Sequence, residues 1–147
     1  MEWSKYFFDL VTVIKTKSKD PSTKVGCVIV GPYNEIISTG FNGIPRLVNE
    51  SPERFERPAK YMYTEHAERN AIYLAARRGV SLDGARIYLS WYPCAECARA
   101  IIQSGICEVY IDNTRCEDNP EANERWGENF KAALIMLNEA KIPIYVI

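Results

Sequence analysis

From Val25 onward the chain alternates short apolar runs with longer amphipathic ones, and this alternation restricts the fold more than any other feature. Val25–Val30 and Glu35–Thr39 flank Gly31-Pro32-Tyr33-Asn34, a turn sequence, so the two runs read as a β-hairpin. Helix-patterned and strand-patterned segments then take turns. A helix is predicted over Thr64–Arg78, stopped by Gly79, and a strand over Arg86–Ser90. A helix from Cys94 to Ser104, closed by Gly105, leads to a strand over Glu108–Ile111. Asn119-Pro120 opens a helix of about 18 residues that ends near Ala140, and Ile144–Ile147 is the last strand. Strands joined through a helix lie parallel, because the connection must cross back over the sheet. The chain is therefore α/β, with a parallel portion of one sheet covered on both faces. Trp3, Tyr6, Phe7, Leu10, Val11 and Ile14 recur at helical spacing ahead of the hairpin. They predict a further helix over Trp3–Lys17, with Asp20-Pro21 ending the segment.

A chain of 147 residues suits one domain, residues 1–147. No apolar run approaches the roughly 20 residues that span a bilayer. Met1–Lys5 lacks the basic and apolar regions of a signal peptide, which points to the cytoplasm. The formal charge is −1, without the basic surplus that a polyanion binder shows. A long nucleic acid is thereby disfavoured as a partner, and a small molecule is not. Gly40–Pro58 is the least regular stretch, a long loop of the kind that often carries function.

The five cysteines are Cys27, Cys94, Cys97, Cys107 and Cys116. An odd number in a chain with no signal peptide favours metal ligands or core residues over disulfides. Cys27 reads as core, Cys107 as packed at a strand start, and Cys116 as an exposed thiol in a polar loop. Cys94 and Cys97 differ, because they open a helix directly after Pro93. Free N–H groups and the helix dipole favour thiolates there. Alone, Cys-x-x-Cys is equally a redox pair or half of a zinc site. His66-Ala67-Glu68 decides between them, since a redox pair leaves it unexplained.

Two thiolates and one imidazole leave one position of a tetrahedral zinc open, as in catalytic sites. His66 is the only histidine, so no second imidazole can close that position. Zinc lowers the pKa of bound water to roughly 7, and Glu68, two residues from His66, is placed to carry the proton. The pattern His-x-Glu with Pro-Cys-x-x-Cys is the signature of zinc deaminases acting on nucleobases. Trp91 and Tyr92, directly before Pro93, are candidates to border the pocket.

The sequence resembles the deoxycytidylate (dCMP) deaminases over nearly its whole length. The matching stretches are Ser18-Lys19-Asp20-Pro21-Ser22-Thr23-Lys24-Val25-Gly26, Thr39-Gly40-Phe41-Asn42-Gly43, His66-Ala67-Glu68-Arg69-Asn70-Ala71-Ile72 and Pro93-Cys94-Ala95-Glu96-Cys97-Ala98, followed by Ile101–Ile106. The resemblance implies a three-layer α/β/α cytidine deaminase-like fold with a five-stranded mixed sheet. It implies hydrolysis of dCMP to dUMP and ammonia, with a single Zn2+ ion per chain on His66, Cys94 and Cys97 and with Glu68 catalytic. By the same analogy Val25 packs on the pyrimidine, Asn42 binds the sugar or base edge, and backbone around Ala67 and Ser90-Trp91 reads the ring. The resemblance also makes Lys24 a candidate contact for the phosphate. The family is usually homo-oligomeric, often hexameric.

Three features depart from the family pattern. Phe41 stands where a tyrosine is usual, Arg46-Leu47-Val48 replaces small residues, and Glu65 adds a carboxylate beside His66. Gly40–Glu65 holds no cysteine or histidine, so no second zinc is expected. The competing readings are a zinc deaminase of another cytosine or aminopurine compound, and a non-catalytic zinc-stabilised binding domain. A purely structural zinc has no use for Glu68, which counts against the last.

Overall fold

The computed structural model describes residues 1–112 and 120–147. Five strands form one mixed sheet: β1 (Gly26–Val30), β2 (Ile36–Phe41), β3 (Arg86–Leu89), β4 (Glu108–Ile111) and β5 (Ile144–Val146). Their spatial order is β2-β1-β3-β4-β5. β1 is antiparallel to β2 and β3, whereas β3, β4 and β5 run parallel. The helices are α1 (Trp3–Lys15), α2 (Lys60–Tyr63), α3 (Ala67–Arg78), α4 (Ala95–Gln103) and α5 (Pro120–Glu139), with a 3-10 turn over Pro52–Phe55. This is the α/β/α architecture with a five-stranded mixed sheet that the sequence implies.

Alternation along the strands sorts two cores. Cys27, Ile29, Ile87, Leu89, Val109 and Ile111 face Ala67, Ala71 and Ala75 of α3, Ala98 and Ile101 of α4, and Ala133 and Leu137 of α5. Val28, Val30 and Tyr88 face Phe7, Phe8 and Val11 of α1 on the other side. Among the described residues, then, α1 alone covers one face, and the three long helices after the hairpin share the other. Both parallel crossovers, through α4 and α5, step the same way along the sheet, and the right-handed rule puts them on one side.

The boundaries differ from the expectations where tertiary pairing intervenes. β2 runs on to Phe41, because Gly26 pairs with Phe41 and Cys27 with Gly40. α3 starts at Ala67 and not at Thr64. Glu65 forms an isolated antiparallel bridge with Gly43, which holds the chain extended up to His66. The loop from Gly43 contains both the 3-10 turn and α2. Cys107 is exposed and not packed, with its thiol donating to the Gly84 carbonyl at 3.3 Å. Cys116 lies outside the described residues. No described helix is long and apolar enough to cross a membrane.

A buried ion pair, not anticipated from the sequence, fixes the segment before β1. Lys60 Nζ lies 3.2 Å from Asp20 Oδ2, with both side chains almost wholly buried. Asp20 Oδ1 also accepts the backbone N–H groups of Ser22 and Thr23. Burial alone would raise the Asp20 pKa, but these donors and Lys60 outweigh it and hold the carboxyl below its ordinary value. Asp20→Ala strands the ammonium in the interior and is expected to destabilise the fold by about 3 kcal/mol. Urea unfolding at neutral pH reads this directly. The Asp20 contribution is full above the ordinary carboxylate pKa and disappears as the pH falls through the depressed folded value. The difference between parent and variant should therefore shrink in acid, and a difference unchanged by acid would contradict the pairing.

Candidate active site

The sheet brings the motif residues to one end. Because β1 and β3 are antiparallel, the start of β1 lies beside the end of β3. Ser90 Oγ accepts the Gly26 N–H at 3.1 Å there. The end of β2 reaches the same edge, where Asn42 follows Phe41. Open α/β sheets bind ligands at the carboxyl ends of their parallel strands, and here that end carries the Pro93-Cys94 turn.

α3 comes into place through a close approach. A Cβ on Gly40 would stand 2.2 Å from the Ala67 carbonyl oxygen and 2.7 Å from the Ala71 nitrogen, so the helix rests on bare strand backbone. The Cys27 thiol donates to the Ala67 carbonyl at 3.2 Å, and Ser38 Oγ donates to the Ala71 carbonyl at 2.7 Å. His66 is the N-cap residue of α3 and Glu68 lies in its first turn. Cys94 is the N-cap of α4, and its Sγ accepts the Cys97 N–H at 3.4 Å. Asn129 on α5 holds that turn from the far side, its Oδ1 accepting the Ala95 N–H at 2.6 Å.

His66 Nδ1 lies 3.4 Å from Cys94 Sγ and 3.5 Å from Cys97 Sγ. These three form the one cluster of metal-ligating groups among the described residues. Bonds of about 2.3 Å to sulfur and 2.0–2.1 Å to nitrogen give a tetrahedral S···N edge of about 3.5 Å. The donors therefore already have zinc spacing. Glu68 is almost wholly buried beside them, with Oε2 accepting the Cys97 thiol proton at 3.1 Å.

The protons follow this geometry. The hydrogen bond from Cys97 and the contact with His66 hold the Cys94 thiol down to about 4, against the upward push of burial. The neighbouring Cys94 sulfur, burial and the Glu68 carboxylate together push Cys97 well above the thiol range. The hydrogen bond with Cys94 raises His66, and burial raises Glu68. A divalent cation would find Cys94 already a thiolate and would displace the Cys97 proton, as metal binding to thiols requires. The donor set thus fits zinc in both spacing and chemistry.

The other sequence-derived site residues take varied places. Val25 is half-buried against the core, and Ala67 is buried under Gly40. Asn42 is buried with both ends of its amide engaged: Oδ1 accepts the Val25 N–H at 2.8 Å and Nδ2 donates to the Thr23 carbonyl at 2.9 Å. Trp91 is half-buried and Lys24 exposed. Glu65, the additional carboxylate beside His66, faces Arg69 with Nε 2.5 Å from its Oε1. The i, i+4 spacing of that pair was a legible signal. The partners Glu96 and Asn129 were not legible, since they come from α4 and α5.

Comparisons with known proteins agree with this site. Residues 1–113 match the family model for the cytidine and deoxycytidylate deaminase zinc-binding region. An uncharacterized deaminase in the luxG 3′ region of Aliivibrio fischeri is 41% identical over 143 residues, covering 97% of this chain and 92% of that one. Human deoxycytidylate deaminase is 36% identical over 128 residues, 83% of this chain and 71% of the human one. The dCMP deaminase of cyanophage S-TIM5, solved with dCMP and dUMP, superposes with a TM-score of 0.75 over 97% of this chain and 95% of its own, at 21% identity. That last likeness concerns the fold.

The donor geometry sets an expectation for metal content. Cys97→Ala removes one of three ligands and should lower bound zinc from about one per chain to a small fraction of that after dialysis. Metal analysis of purified protein measures it, and an unchanged zinc content would remove Cys97 from the ligand set.

Proposed function

This chain belongs to the cytidine and deoxycytidylate deaminase family, and we propose that it hydrolyses dCMP to dUMP and ammonia. The observation that carries the reading is the buried Glu68 carboxyl standing against the His66, Cys94 and Cys97 donors. The reaction adds water across the N3=C4 double bond of cytosine and then breaks the C4–N4 bond, leaving a carbonyl and releasing ammonia. His66, Cys94 and Cys97 would hold the zinc, which when bound would lower the pKa of its water to roughly 7.

The rest falls to the chain's own side chains. Glu68 accepts a proton from the attacking water, passes one to the ring nitrogen, and delivers one to the departing amine. Burial suits it to this shuttle, because it raises the carboxyl above its ordinary value and makes the protonated form easier to reach. Val25 packs on the pyrimidine, and the backbone at Ala67 and Ser90-Trp91 reads its polar edge. Asn42 serves the sugar side and fixes Val25, whose N–H it accepts. The phosphate goes to Lys24. Four nearby cations are engaged elsewhere: Lys60 with Asp20, Lys19 with Glu50, Arg57 with the Tyr61 hydroxyl, and Arg54 with the Asn49 carbonyl and the Tyr63 ring, which leaves Arg46 of the long loop as the competitor.

We place the chain in the cytoplasm as a single-domain subunit of a homo-oligomer. Free thiols at Cys27, Cys94, Cys97 and Cys107 support a reducing compartment. Sedimentation should give a multiple of 16.8 kDa, and a monomer mass would overturn the assembly.

Ammonia release from dCMP, dCTP, deoxycytidine, cytosine and a purine nucleotide tests the substrate. dCMP should be the best, and equal or faster release from the unphosphorylated compounds would overturn the phosphate assignment. Glu68→Gln should keep its zinc and lose about 10²–10⁴-fold in turnover. Lys24→Ala should raise the KM for dCMP and spare deoxycytidine, whereas equal losses on both would detach Lys24 from the phosphate.

A further inference from the structure

Arg69 occupies the first turn of α3, with its side chain only 13% exposed. Its Nε stands 2.5 Å from Glu65 Oε1, an ionic contact without hydrogen-bond alignment. Its NH1 donates to Glu96 Oε2. Glu65 immediately precedes the ligand His66, and Glu96 stands between the ligands Cys94 and Cys97. One guanidinium thus joins the segment that carries the imidazole to the segment that carries both thiolates. Among the described residues, no backbone hydrogen bond links the first turn of α3 to that of α4. Side chains must therefore maintain the spacing between the two sets of donors.

We propose that Glu65, Arg69 and Glu96 form a positioning bridge that keeps the two ligand-bearing helix starts in register and thereby sets how slowly zinc leaves. The planar fork matters as much as the charge. Two different nitrogens of Arg69 reach two carboxylates from two elements, whereas a lysine offers one compact ammonium and satisfies one of them at a time. Outer contacts that orient ligands commonly govern metal retention by about 10–100-fold. Glu96 is 61% exposed, so its own share is the smaller one, and Arg69 carries most of the effect.

The proposal rests on the zinc reading of His66, Cys94 and Cys97, which the zinc content of the parent chain tests separately. Zinc-loaded parent, Arg69→Gln, Arg69→Lys, Glu96→Gln and the Arg69→Gln/Glu96→Gln double variant are mixed with excess chromophoric chelator, and the release rate is followed. Thermal unfolding of the zinc-free proteins runs alongside to separate positioning from stability. Both Arg69 variants should release zinc about tenfold faster or more, and Glu96→Gln severalfold faster. The double variant should be no faster than Arg69→Gln, because both changes break the same bridge. Release from Arg69→Lys as slow as from the parent would overturn the proposal, since charge alone would then suffice. Rates that multiply in the double variant, or that simply follow the unfolding temperature, would also overturn it. If Arg69→Gln fails to fold, the exposed Glu96→Gln decides, and unchanged release there rejects the bridge.

Discussion

Gly40 leaves the strand backbone bare where the first turn of α3 lies against it, and the positions of His66 and Glu68 depend on that contact. Any side chain at Gly40 would collide with the Ala67 carbonyl, a backbone group that cannot swing aside. The same carbonyl accepts the Cys27 thiol. Ala67 separates His66 from Glu68, so the depth at which this peptide sits on the sheet fixes both the imidazole and the proton carrier. Ala71 and Ala75 continue the small-residue face along the helix and keep it close to the sheet over its length. Packing of this density does not yield gradually. A displaced first turn would move the imidazole and the carboxyl together.

Charge placement follows from the same closeness. A site built from thiolates and a carboxyl at the starts of two helices gathers negative charge, and the Arg69 guanidinium beside it interacts with Cys97 as well as with its two carboxylates. Arg69 is turned toward Glu65 and Glu96, and Lys60 is drawn down to Asp20. Each pairing also ties together segments remote in sequence. Asp20 and Lys60 join the approach to β1 with α2, and Asn42 joins the end of β2 with Thr23 and Val25. The loops around the site are thus held by polar contacts from below, while the sheet core lies behind them.

The strands and long helices were legible in the sequence because their apolar periods are local properties. His66, Cys94 and Cys97 were legible because their residue types and spacing report metal chemistry whatever their surroundings. The start of α3 was misread, since the Glu65–Gly43 bridge that keeps Thr64 and Glu65 extended is a long-range pairing. The distribution of helices over the two faces was also beyond sequence patterning, because periodicity shows that a helix has an apolar side and not which sheet face receives it. Lys60 illustrates the same limit: in the sequence it is one cation in a mixed-charge loop, and only the fold reveals Asp20 beneath it.

The two helix starts divide the chemistry unequally, and burial explains the division. Glu68 gains little by being charged in the interior, so it holds its proton more readily than an exposed glutamate and can return it. Cys94 sits at the mouth of α4, accepts the Cys97 N–H and contacts the imidazole, and these donors favour the thiolate. Cys97, deeper and wholly buried, keeps its proton and lends it to Glu68 until a cation displaces it. The arrangement is therefore prepared for metal in stages. One ligand is ionised beforehand, and a second must give up its proton on binding.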